Sequence, residues 1–136
     1  MAANTSPIYT RTPDIQWANS AAANTAKDGT GTVATAFTAD ATEGGYVEKI
    51  VFRPLAAVVA TVIRVFVNNG STNATATNNS LFAEVTLAAT TNSETAAIAG
   101  VEVPLRIALP AGYKINFTLG TYSTGSVQGT VFGGKY

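Results

Sequence analysis

Four runs in the second half of the chain alternate apolar and other residues with a period of two. Thr61, Ile63, Val65 and Val67 fall on one side, and Arg64 and Phe66 on the other. Leu81, Ala83, Val85 and Leu87 oppose Phe82, Glu84 and Thr86. Val103, Leu105, Ile107 and Leu109 oppose Glu102, Pro104 and Arg106, and Tyr113, Ile115, Phe117 and Leu119 oppose Lys114, Asn116 and Thr118. Successive side chains of a strand point to opposite faces of its sheet, so this pattern buries one face and wets the other. A helix would lose that register within two turns.

Weaker runs at 15–18, 32–38, 46–54 and 127–132 bring the expected total to seven or eight strands. No segment carries a helical stripe, and 93–99 (SETAAIA) is expected as a loop or single turn. Leu109-Pro110-Ala111-Gly112-Tyr113 predicts a tight antiparallel hairpin between two alternating runs. The polar stretch 68–80 (NNGSTNATATNNS) predicts a long connection of the kind that crosses between packed sheets. Pro104 inside its run places that strand at a sheet edge. The expected fold is an all-β, antiparallel β-sandwich of jelly-roll or Greek-key type. Residues 15–136 form the sandwich, and 1–14 form an extended N-terminal arm whose Pro7 and Pro13 disfavour helix.

A chain of 136 residues suits one domain and needs no staples. It has no cysteine and no histidine, which removes disulfides, thiolate nucleophiles, imidazole bases and the familiar zinc sites. Eight basic residues balance eight acidic ones, and charged residues make up 12% of the chain, about half the usual share. Such a surface has no field to steer nucleic acid or membrane, and it loses little solvation when another protein covers it. The eight carboxylates form no motif, so no catalytic residues, metal ligands or cofactor are expected. Lys27-Asp28-Gly29-Thr30-Gly31 has the Gly-x-Gly of a phosphate loop without its helix or its Gly-Lys-Ser/Thr ending, and reads as a turn. The opening residues have no basic segment followed by an apolar run, so no signal peptide is expected. The longest apolar stretch, 55–67, is broken by Thr61 and Arg64 and is shorter than a membrane span.

The segments ANTAKDGTGTVATAFTA (23–39), VIRVFVNNGSTNATATNNSLFAEVTL (62–87) and LRIALPAGYKINFTLGT (105–121) resemble small proteins encoded among the structural genes of tailed phages. These in turn resemble the jelly-roll decoration, or cement, proteins that coat capsids. The closing Gly133-Gly134-Lys135-Tyr136 is similar as well. The resemblance implies a non-enzymatic virion protein, made in a bacterial cytoplasm and bound to the outer surface of a capsid. Its implied partners are the major capsid protein or other virion proteins, together with further copies of itself as a homo-oligomer or as lattice neighbours.

Two groups of residues are candidates for partner contact. Bulky residues are unusual in a free tail, so Pro7, Ile8, Tyr9 and Pro13, with Trp17 just beyond, are expected to pack on a neighbour or on the domain itself. Asn68, Asn69, Asn73 and Asn78 lie in the long polar connection. If the chain is instead a tail or fibre module, for instance a trimeric one, they would touch the host. A sugar-binding sandwich is a third reading, with Trp17, Tyr122 and Tyr136 as its only aromatic platforms.

Overall fold

In the computed structural model, residues 9–136 are described, and they form two four-stranded antiparallel sheets packed face to face. In chain order the strands are β1 (Thr12–Ser20), β2 (Ala34–Thr38), β3 (Gly45–Pro54), β4 (Thr61–Asn68), β5 (Asn79–Leu87), β6 (Val101–Leu109), β7 (Lys114–Leu119) and β8 (Val127–Lys135). Sheet A has the order β1-β8-β3-β6 and sheet B the order β2-β7-β4-β5. The antiparallel pairs nest as β1 with β8, β2 with β7, β3 with β6 and β4 with β5. Eight strands form, within the expected seven or eight, and the fold is an all-β sandwich. β1 begins at Thr12, so Thr12, Pro13 and Asp14, expected in the arm, are paired with β8.

The inward residues of the alternating runs meet between the sheets. Val47, Ile50 and Phe52 from sheet A face Phe37, Ile63, Val65, Ile115, Phe117 and Leu119 from sheet B, all fully buried. Phe52 and Phe117 meet edge to face with ring centroids 5.1 Å apart. Gly129 stands beside both rings: a Cβ there would lie 2.9 Å from each. The absent side chain is therefore what admits the aromatic pair at the centre of the core.

Two connections exchange the roles expected of them. The turn at 110–113 joins β6 of sheet A to β7 of sheet B, so it is a corner between sheets and not a hairpin. Packed sheets lie about 10 Å apart, and four extended residues span roughly 13 Å, so a short turn suffices. Gly112 takes φ +76°, and the amide of Tyr113 donates to Pro110 O at 3.1 Å. Conversely, the long connection 69–78 joins β4 to β5 within one sheet. Alternation shows which face a residue occupies but not which strand comes next, which is why the two were transposed. Pro104 does lie on an edge strand, β6.

Candidate functional site

The outer faces of the two sheets differ. On sheet A the ladder places Ile15 beside Phe132 and Trp17 beside Thr130, with Lys49 and Val51 next across on β3. Ile15 is 50% exposed and Trp17 is 62% exposed, and Pro13 precedes them on the same face. Phe132 and Val51 are half-buried. Lys49 lies 5.7 Å over the Phe132 ring and pairs with Glu102 at 3.4 Å. The result is an open apolar strip crossing three strands, with charge along its β3–β6 side.

The outer face of sheet B is covered in part, over β4 and β7, while Leu81 on β5 is 42% exposed. Phe66 is wholly buried yet lies outside the cluster between the sheets, and Asn116 and Thr118 beside it are buried too. The cover is the excursion between β1 and β2. Asn24 ties it to the end of β7 through its amide to Leu119 O, Thr25 lies beside Val62 and Arg64, and Gly29 presses against Asn79. The chain between Thr25 and Gly29 thus passes over Phe66. Solvent-facing positions were expected at Asn116 and Thr118, because a polar residue under a strap has the same letter as one in water.

The asparagine-rich connection fastens this strap. Asn73 Nδ2 donates to Gly29 O at 3.1 Å and Gly31 O at 2.8 Å. Asn79 Nδ2 donates to Asp28 O at 3.1 Å and Asn73 O at 2.9 Å, and its Oδ1 accepts from Asn68 Nδ2 at 2.8 Å. Asn68 Oδ1 accepts from the Gly70 amide, and Asn69 Oδ1 accepts from the Ser71 amide. Asn69 Nδ2 donates to Asn78 Oδ1 at 3.2 Å, and Asn78 Nδ2 donates to Thr72 O at 2.8 Å. The amide groups of Asn68, Asn69, Asn73 and Asn78 are therefore engaged inside the protein. The composition was legible in the sequence; Gly29 and Gly31, which accept from Asn73, and Asp28, which accepts from Asn79, lie some forty to fifty residues away.

The remaining sequence candidates are dispersed. Pro7 and Ile8 lie outside the described residues, and Tyr9 is exposed next to Tyr46 and Tyr136 at one end of the sandwich. Tyr122 lies at the opposite end, where the Ser123 amide donates to Ala21 O. Tyr122 and Tyr136 thus flank the whole length of β8, roughly 26 Å at strand rise. They share no platform with Trp17.

An apolar groove of about 370 Å³ lies on sheet B, lined by Thr25, Ala60, Val62, Arg64, Thr86 and Gly120. At its floor Arg64 Nε donates to Glu84 Oε1 at 2.7 Å, which neutralises the guanidinium; Nη1 is buried without a partner. Carboxylates elsewhere also face cations: Glu48 pairs with Arg106 and Asp40 with Lys135. Asp40 is held below the ordinary Asp value by the amides of Glu43 and Thr42, then by Lys135, and Asp28 is lowered by the hydroxyl and amide of Thr30. Tyr46 is raised by its hydrogen bond to Glu48. Each of these shifts comes from a turn or strand contact. Among the described residues, no group of three or more acidic side chains could hold a metal ion, and no helix is long and apolar enough to cross a membrane.

No family model, no curated protein and no solved structure matches the chain. The geometry therefore carries the functional reading.

Proposed function

We propose that this chain is a non-enzymatic structural protein of a tailed-phage virion, a decoration protein that attaches to the capsid exterior through the outer face of sheet A. The observation that carries this reading is the strip of Ile15, Trp17, Phe132 and Val51, left open while Phe66 on the outer face of sheet B is wholly buried. Apolar side chains on a strand face with a charged margin are the usual makings of a protein-binding patch. The nested strand order 1-8-3-6 over 2-7-4-5, read as a jelly-roll winding, fits the family that the sequence resembles. Four of the eight carboxylates, Asp40, Glu48, Glu84 and Glu102, each face a cation, which fits the non-enzymatic part of the proposal.

The face is small. Four strands about 4.8 Å apart and nine residues long cover roughly 14 by 26 Å, near 370 Å². A standard interface takes about 800 Å² from each partner. One copy alone would bind weakly, and repetition over a lattice, or added contacts from residues 1–8, would supply the rest. The tail-module reading needs a free loop at 69–78, and engagement of its amides weighs against it.

The test is co-sedimentation with capsid shells of the phage that encodes the chain. The wild type is expected to sediment with shells, and Ile15→Lys with Trp17→Lys to lower its affinity at least tenfold. Failure of the wild type to bind overturns the reading. The arm is tested by removing residues 1–8, since a cut at residue 14 would take part of β1.

A further inference from the structure

A sandwich of two open sheets has four edge strands, and here they are β1, β6, β2 and β5. Exposed edges are templates for pairing with another chain, and natural proteins block them. Three of the four are blocked. β1 and β2 lie against each other along one side of the sandwich, where the Gln16 side-chain amide donates to Thr38 O and accepts from Thr38 N, both at 3.0 Å. β6 contains Pro104, which has no amide hydrogen, and Arg106 at φ +51°, which breaks the extended backbone.

β5 has neither device. Its nine residues include no proline, glycine or cation. One irregularity, at Phe82, separates Leu81 from a regular stretch Ala83–Leu87 paired with β4. The following connection does not fasten itself over this edge: Thr90 pairs with Val58, and Ser93 bonds within its own turn.

We propose that β5 pairs antiparallel with β5 of a second copy across a two-fold axis at Val85. The choice of a second copy rests on the stretch's self-complementarity. With Val85 opposite itself, Ala83 faces the partner's Leu87 on the inward side, and Glu84 faces the partner's Thr86 on the outward side. No like charges oppose each other, and Glu84, the only charge on the strand, is already matched by Arg64 at 2.7 Å. The net charge of the chain is zero, so two copies approach without long-range repulsion. Inward residues at this edge, Ala83 and Val85, are only partly buried and would gain cover. The pairing would join two B sheets into one eight-stranded sheet, with main-chain hydrogen bonds as the binding force. It is separate from attachment through sheet A.

Sedimentation equilibrium of the full chain across micromolar to millimolar concentration tests it. The wild type is expected to move from 13.9 kDa toward twice that mass. Thr86→Glu, at an exposed site, sets one new carboxylate opposite the partner's Glu84 at each of the two ends of the pairing and should raise the dimer Kd about tenfold. Thr86→Lys should leave it unchanged or lower it. Trp17→Lys should not alter it. A chain that stays monomeric throughout, equal effects of Thr86→Glu and Thr86→Lys, or a dimer abolished by Trp17→Lys would each overturn the proposal.

Discussion

The outward faces of the two sheets are made from strands of the same kind and end in opposite conditions. On sheet B a phenylalanine, an asparagine and a threonine are hidden beneath a strap of chain; on sheet A a tryptophan and an isoleucine are left bare. The difference lies in the connections. The link between β1 and β2 runs 13 residues, 21–33, leaves sheet A and lies back over sheet B, whereas the equally long link from β5 to β6, 88–100, is held at Thr90 to Val58. Covering an outward face costs conformational entropy for each residue fixed. On sheet B, burial of Phe66 and a set of asparagine hydrogen bonds offset it. On sheet A nothing in the described chain does so. The bare strip on sheet A thus stands against a single ring on sheet B, Phe66, that is wholly buried.

The largest effect expected of breaking this contrast is at Phe66. Phe66→Ala removes a fully buried ring from beneath the strap and should destabilise the protein by about 3–5 kcal/mol, the range for such truncations in a core. Urea denaturation monitored by circular dichroism measures it. A loss below about 1 kcal/mol would mean that the strap does not seal the face in solution.

The clasp should give a smaller effect. Asn79→Ala deprives Asp28 O and Asn73 O of a donor and Asn68 Nδ2 of an acceptor, in partly buried surroundings. A cost of about 1–3 kcal/mol follows from unmatched polar groups. Hydrogen exchange should localise the loosening to 24–33 and 69–79 and spare sheet A. Uniform loosening of both sheets would show that the strap and sheet A are one cooperative unit, and the contrast would lose its meaning.

How much of this was legible in advance follows the same division. The inward faces were readable because Ile63, Val65, Ile115 and Phe117 obey a local rule: every second residue is apolar and buried. Edge status was readable at Pro104, since a missing amide hydrogen is a property of the residue itself. The outward faces were not. Asn116 looks alike in water and under a strap, and Phe66, a lone ring on a polar side, could equally have been bare like Trp17. What separates them is a contact between 28–31 and 73–79, which no periodicity encodes. Val51 and Phe132 escaped notice for a related reason. Each follows directly on an inward apolar residue, Ile50 or Val131, and only the register of β1, β8 and β3 gathers them beside Ile15 and Trp17.

The smallest effect on folding should come from the face proposed for attachment. Trp17 is 62% exposed on an edge strand, opposite Thr130. Replacing it by Lys gives up strand propensity worth at most about 1 kcal/mol, and the lysine stem recovers part of the contact with the sheet. The net change in unfolding free energy should stay within about 0.5 kcal/mol, as for surface positions without special contacts. Solubility should rise, because a charge interrupts the apolar strip. The same urea titration used for Phe66→Ala measures it. If Trp17→Lys costs as much as Phe66→Ala, the indole is part of the fold's own packing, and sheet A has no spare face to offer a partner. If the fold is indifferent while shell binding falls, the side chain is retained for a contact that lies outside the chain.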